Sequence, residues 1–212
     1  VHLDALLALP WLIWKMIASR RLTAVVDAVE GAAGQIAPAL QDALGVACIP
    51  LHCGRTGLFP HEPEPTPAHL GELTAAVNDS DADVGFALDP DGDRLALVAA
   101  GGEALSEELT LVLAMDFVLE RERGPVAVNL STTRLIEEVA ARRGARVLRT
   151  PVGEANVVEA MLREGCVIGG EGNGGVIYPA LHPGRDGLVG MAMILQLLAE
   201  REVPLGELGP GD

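Results

Sequence analysis

The sequence predicts an α/β fold built from two similar modules, each a small mixed sheet flanked by helices. Short apolar runs of strand length alternate with longer stretches of helical periodicity, the pattern of packed βα units. Glycine, proline and aspartate punctuate the joints between them. The plan appears twice, without a residue-level repeat. A turn at Gly101-Gly102 closes the first half, so residues 1–103 and 104–212 are expected to be the two modules.

The opening stretch LDALLALPWLIWKMIASRR reads as an amphipathic docking helix. Its apolar run is broken by Pro10 and Lys15 and falls short of the roughly 20 residues that span a bilayer. Arg20 and Arg21 follow the run, whereas a secretory signal carries its positive charge ahead of it. Trp11, Trp14 and Met16 are expected to need a partner surface. Leu22–Gly31 then reads as a buried strand, Ala32–Leu44 as a helix and Val46–Cys53 as a second strand. A proline-rich loop follows and turns into a helix near Thr66, with Thr66 as N-cap and Pro67 at the first helical position. DVGFAL and RLALVA are two further strands.

The second half begins with a helix over Ser106–Glu122, whose first turn carries Glu107 and Glu108. PVAVNL is a strand, TTRLIEEVAARRG a helix stopped by Gly144, and ARVLRT a strand. GEANVVEAMLREG is a helix, CVIGGEGNGGVIY a hairpin-like pair of strands, and RDGLVGMAMILQLLAERE the closing helix.

Of 212 residues, 30 are acidic and 15 basic, a formal charge of −15, and 49% are hydrophobic. That is enough apolar residue for a real core. The negative surface disfavours nucleic acid and anionic membrane as partners. Cys48, Cys53 and Cys166 show no C-x-x-C spacing, and their apolar neighbours predict buried, reduced thiols in a cytoplasmic protein. His52 and Cys53 could ligate zinc, but a satisfied histidine at a strand end is the expectation.

Between two apolar runs, ALDPDGDRLAL places Asp89, Asp91 and Asp93 at alternate positions of a turn. Alternate extended residues point the same way. Three converging carboxylates repel and raise one another's pKa unless a cation lies among them. Hard oxygen donors without histidine or thiolate favour magnesium or calcium over zinc, and magnesium keeps positions for phosphate oxygens. Arg94 follows at once, a guanidinium suited to phosphate. An EF-hand starting at Asp89 is excluded, because its sixth and twelfth positions are Arg94 and Ala100 rather than glycine and glutamate. The loop also looks like the nucleophile loop of haloacid-dehalogenase phosphotransferases, with Asp89 as nucleophile, although that family usually has threonine where Asp93 stands.

GGEGNGGVIY puts Glu171 and Asn173 on a turn so bare of side chains that a ligand can approach the backbone at Gly174. Glutamate accepts, and asparagine donates and accepts, which suits vicinal sugar hydroxyls. A simple tight turn would look the same. EGAAG, Glu30–Gly34, lacks the G-x-G-x-x-G spacing and is expected to serve packing.

The two motifs, in this order and about 80 residues apart, resemble those of the α-D-phosphohexomutases, the family of phosphoglucomutase/phosphomannomutase and phosphoglucosamine mutase. DPDGDR is similar to that family's D-G-D-G-D-R metal loop, with Pro90 replacing a glycine. GEGNGG is similar to its G-E-x-S-G-H sugar loop, with Asn173 and Gly175 replacing serine and histidine. The resemblance extends through VVDAVEGAAG, GLFPHEPEPTPAHL, TPVGEANVVEAM and GRDGLVGMAMILQLL. It implies that Asp89, Asp91 and Asp93 hold magnesium, that Arg94 lies beside the phosphoserine or substrate phosphate, and that Glu171 and Asn173 grip sugar hydroxyls. Arg185 is a weaker phosphate candidate by the same resemblance.

The family has four domains, and the resemblance implies that this chain carries the middle two. The implied partners are a phosphorylated hexose or hexosamine and the first and last domains of the same protein. The T-A-S-H-N-P-like phosphoserine loop and the R-x-S-G-T-type phosphate loop are not among these residues. Ser131 is expected to cap a helix. On this reading the chain is part of a larger mutase, is inactive alone, and once packed its opening helix against the first domain. The other expectation is a non-catalytic phosphosugar-binding protein.

Overall fold

A computed structural model describes residues 1–208 of the chain; the last residues of the REVPLGELGPGD tail lie outside the described range. The first sheet contains β1 (Thr23–Asp27), β2 (Ala47–Leu51), β3 (Val84–Leu88), β4 (Leu95–Ala99) and β5 (Glu103–Ala104), in the order β2-β1-β3-β4-β5. β1 pairs in parallel with β2 and β3, while β3–β4 and β4–β5 are antiparallel. The second sheet holds β6 (Val126–Asn129), β7 (Val147–Thr150), β8 (Ile168–Glu171) and β9 (Gly175–Ile177) in the order β7-β6-β8-β9. Here again a central strand is parallel to both neighbours and a hairpin completes the edge. The two mixed sheets therefore share one plan, as the sequence predicts.

β3 and β4 are continuous apolar runs, and β1 and β6 are buried runs that end on Asp27 and Asn129, because helices cover both faces of their sheets. β5 is a strand the sequence reading omits: two residues are too few to show a period. Its pairing with β4 depends on Gly101 and Gly102, both in the left-handed region at φ 80° and 82°.

The opening segment is two short helices, α1 (His2–Leu7) and α2 (Trp14–Arg20), separated around Pro10. It finds a partner inside this chain. Leu6 and Ile17 are fully buried, and Trp11 lies edge-on to Phe117 and Tyr178, with ring centroids 5.1 and 6.1 Å apart. The backbone N–H of Ile13 donates to Oε1 of the buried Gln196 at 2.8 Å. The expectation that this segment waits for another domain is therefore corrected for Trp11. Trp14 and Met16 keep 53% and 37% of their surface in solvent.

α3 (Ile36–Ala43) follows a short 3₁₀ turn and carries Pro38 in its first turn, where no helical hydrogen bond is lost. α4 (Gly71–Asp79) follows a 3₁₀ turn at Pro67–His69. Thr66 is not the side-chain cap expected of it: its hydroxyl is taken by His69 Nδ1 at 3.2 Å. α5 (Glu108–Leu119), α6 (Leu135–Arg143), α7 (Glu154–Glu164) and α8 (Gly187–Arg201) complete the helices. α6 and α7 end on left-handed Gly144 and Gly165. α5 and α8 are apolar on nearly every side, and both touch strands of the two sheets, β4 of the first and β9 of the second. One continuous core consequently spans both modules. Among the described residues, no helix is long and apolar enough to cross a membrane.

Candidate metal and sugar site

Five buried polar residues stand at the carboxyl ends of strands: Asp27 on β1, Asp89 after β3, Asn129 on β6, Thr150 on β7 and Glu171 on β8. The carboxyl edge of parallel strands is where open α/β sheets place their ligands. All three cysteines are free. Burial, with Cys48 nearby, pushes the Cys53 thiol up to about 11, and its S–H points at the Leu51 carbonyl, 3.3 Å away. Such a thiol is about one part in a thousand thiolate at pH 8. Iodoacetamide is expected to label Cys53 far more slowly in the native chain than in urea, as read by mass spectrometry; equal rates would contradict this placement.

Asp89 builds the aspartate loop. Its Oδ1 accepts from the backbone N–H groups of Asp93 and Arg94, both at 3.0 Å, and its Oδ2 accepts from Arg94 Nε at 2.6 Å. A carboxylate with both oxygens engaged this way is not posed as an attacking nucleophile. Gly92 turns the chain at φ 79°. Pro90 O accepts from Ala32 N at 2.8 Å, so Glu30–Gly34 packs against the loop. Gly31 must be glycine there, since a Cβ would lie 2.5 Å from Pro90 O.

The carboxylates of Asp89, Asp91 and Asp93 lie within 4.8 Å of one another. Asp91 is exposed, whereas Asp93 Oδ1 is buried with no hydrogen-bond donor. Burial, reinforced by the Asp89 charge, pushes the Asp93 carboxyl up to about 6, against the pull of Arg185. An all-oxygen donor set, an unpartnered buried oxygen and mutual repulsion together fit a hard divalent cation.

Arg185 joins the two sequence motifs. Its Nη2 donates to Asp93 Oδ2 and its Nη1 to Glu171 Oε2, the latter at 2.8 Å. Its backbone N–H donates to Glu154 Oε1 at 2.8 Å. Glu171 is 4% exposed, and its Oε1 accepts from Asn129 Nδ2 at 2.7 Å and Gly153 N at 3.2 Å. The sugar-gripping role expected of Glu171 thus meets a carboxylate already held on both oxygens by the chain's own donors, as burial requires. Asn173 is half-buried and its Oδ1 accepts from Gly175 N at 3.2 Å, which closes the turn.

Gly174 serves a close approach rather than an open backbone. At φ +89° its carbonyl accepts from Leu95 N at 3.0 Å, and a Cβ would lie 2.4 Å from Leu95 O. Arg94 and Gly175 form a β-bridge beside it, and Gly187 N donates to Gly92 O at 3.0 Å. The loops are stitched backbone to backbone. Arg94 itself is half-buried, with Nη1 3.4 Å from Glu64 Oε1.

Asn129 is the site residue that sequence reasoning missed. Its Oδ1 accepts from Ser131 N, Ser131 Oγ and Thr132 Oγ1 at 2.8–3.1 Å, while its amide holds Glu171. Ser131 therefore supports Asn129 instead of capping α6. The available signal was a polar residue ending an otherwise apolar strand.

The known proteins agree with this architecture. Residues 2–102 match the model of phosphoglucomutase/phosphomannomutase alpha/beta/alpha domain II, and residues 106–209 match domain III. A "Probable phosphoglucosamine mutase" of Methanopyrus kandleri is 40% identical over 190 residues, covering 88% of this chain and 42% of that protein. A "Phosphoglucomutase/phosphomannomutase" of Thermococcus kodakarensis is 36% identical, over 91% and 42% respectively. The crystal structure of a phosphoglucomutase/phosphomannomutase family protein from Burkholderia thailandensis superposes with a TM-score of 0.75 at 32% identity, covering 88% of this chain and 43% of that one. The chain spans less than half the length of these relatives. With both domain models matched end to end around two loops that meet at Arg185, the chain belongs to the phosphoglucomutase/phosphomannomutase family, the α-D-phosphohexomutases.

Proposed function

We propose that this chain is the magnesium-binding and sugar-binding part of a phosphohexomutase, which interconverts the 1-phosphate and 6-phosphate of a hexose or hexosamine in the cytoplasm. The phosphoserine and the second phosphate loop come from other domains of the protein, so residues 1–103 and 104–212 act as its second and third domains and are inactive alone. The observation that carries this reading is the Arg185 bridge, which brings the aspartate loop and the glycine-rich turn together.

Asp89, Asp91 and Asp93 would hold the magnesium, whose charge offsets that of a phosphoryl group in transfer. Asp89 keeps the loop in shape and aims the Arg94 guanidinium, which is available to phosphate oxygens through its remaining N–H groups. Arg185 keeps Glu171 and Asp93 paired until sugar hydroxyls share or replace its contact with Glu171. Asn129 holds Glu171 in position for that exchange.

Phosphorus NMR tests the reading, with purified chain, magnesium, a pool of hexose and hexosamine phosphates and a trace of sugar 1,6-bisphosphate. Magnesium-dependent broadening is expected in the wild type and not in Asp91→Ala, which removes an exposed ligand and leaves the loop's hydrogen bonds intact. The pH dependence has a definite sign. Asp93, at about 6 in the fold, is largely protonated at pH 5, so magnesium response rises from pH 5 to 7.5. In the metal-free chain the same raised pKa favours folding at acid pH, and that advantage is lost as pH rises through about 6. Conversion of 1-phosphate to 6-phosphate would refute inactivity alone; absence of any broadening would refute binding by these domains alone.

A further inference from the structure

A second cluster of ligating side chains lies on the opposite flank of the first sheet from the bridge at Arg185. Asp27 ends β1 and His52 follows β2 directly, on adjacent parallel strands with Asp27 beside Leu51 in register. His61 comes from the proline-rich loop and Glu72 from the first turn of α4. The ligating atoms of Asp27, His52 and His61 all lie within 4.8 Å of one another. His61 Nε2 is 2.8 Å from Asp27 Oδ2, and His52 Nε2 is 3.0 Å from Glu72 Oε2. The two rings stand edge to face at 5.5 Å. His52 is held at φ +48°, a left-handed conformation that costs a non-glycine residue energy.

His61 carries the argument. Its Nδ1 is 2.9 Å from the Glu62 carbonyl and its Nε2 is 2.8 Å from the Asp27 carboxylate. Both neighbours are acceptors, and a neutral imidazole has one N–H to offer. An additional proton, on the imidazole or on Asp27, or a metal ion must therefore occupy the Nε2 side. An Nδ1–H donated to a backbone carbonyl, with Nε2 turned inward, is the arrangement that metal-binding histidines adopt. The trio of His2, His182 and Asp186 presents no such conflict, because each histidine can donate an Nε2–H to Asp186 Oδ2.

We propose that Asp27, His52 and His61, with Glu72 or a water completing the set, form a second cation site for zinc or a similar transition metal. Two imidazoles beside carboxylates suit zinc and cobalt and reject magnesium, so this site is chemically distinct from the aspartate loop. Asp27 is buried while the two imidazoles are half-buried, so the site is formed yet open to an entering ion. Cys53 is not a ligand, since its thiol is turned to the Leu51 carbonyl. The metal would clasp the proline-rich loop to the ends of β1 and β2. Glu64 of that loop reaches Arg94 at 3.4 Å, so the clasp stiffens a segment bordering the aspartate loop.

The test is a cobalt titration of the metal-free full chain carrying Asp91→Ala, in excess magnesium, so that the aspartate loop contributes nothing. One equivalent of Co2+ is expected to bind with the intense visible absorption of a four-coordinate site containing imidazole, and zinc should displace it. Adding His52→Asn or His61→Gln should abolish that absorption and weaken cobalt binding on the order of tenfold or more, a loss seen even for outer partners of metal sites. Circular dichroism of the metal-free variants establishes that they fold. Absence of the absorption with both histidines present would overturn the proposal, as would its persistence in either variant. So would nitrogen-15 NMR finding His61 protonated on both nitrogens at saturating zinc.

Discussion

Arg185→Met is expected to lower the chain's unfolding free energy by about 3–5 kcal/mol, the cost of removing one partner from a buried ion pair. The arginine holds Asp93 and Glu171 at once, across loops separated by 92 residues on one side and 14 on the other. Both carboxylates are largely out of water, with side-chain exposures of 19% and 6%. Without the guanidinium, Glu171 keeps Asn129 and Gly153 as donors, but Asp93 keeps only a long contact with Arg94, 3.9 Å from its Oδ1, against the charges of Asp89 and Asp91. Methionine preserves the bulk of the stem, so the loss reports the charge and its hydrogen bonds. Arg185→Lys should recover little, because one ammonium does not span two carboxylates in the planar geometry of a guanidinium. Urea denaturation gives the number. A loss below about 1 kcal/mol, the range of exposed pairs, would show that the bridge is solvent-screened and unimportant. Magnesium should partly offset the loss, since it gives Asp93 another positive partner.

The second large effect is expected at Gly174. Gly174→Ala puts a side chain on a backbone at φ +89°, which costs about 1–3 kcal/mol in strain. The added Cβ would also lie 2.4 Å from the Leu95 carbonyl oxygen, which is too close for the two loops to stay where they are. If the turn retreats, the hydrogen bond from Leu95 N to Gly174 O and the bridge between Arg94 and Gly175 both open. A buried backbone donor left unpaired adds about 1–3 kcal/mol. Hydrogen exchange should show faster amide exchange at Leu95 and along the glycine-rich turn, while β6 and β7 stay protected. Unchanged exchange at Leu95 would mean that the stitch between the loops contributes nothing to their order.

Much of this architecture is legible in the sequence because it is local. Continuous apolar runs such as VGFAL and LALVA mark strands covered on both faces, and Gly144 ends a helix wherever that helix lies. Three aspartates within five residues have to meet in any tight turn, so the cation reading needs no knowledge of the fold. The site's deeper layer is different. Asn129 reads as the end of a strand until Glu171 arrives 42 residues later to take its amide hydrogen. Arg185 looks like a residue beside a helix start until packing sets it between two carboxylates. His52 looks paired with its neighbour Cys53, yet its ring meets His61 across a loop.

The sequence by itself determined the two α/β modules, the aspartate cluster and the glycine-rich turn, because periodicity, charge density and backbone freedom act over a few residues. Only the tertiary structure decided that α5 and α8 share one core between the sheets, that Trp11 is buried within the chain, and that Arg185 and Gly174 join the two loops. Those outcomes depend on which apolar faces bury one another and on buried charges finding partners, and both are settled only when distant segments are brought together.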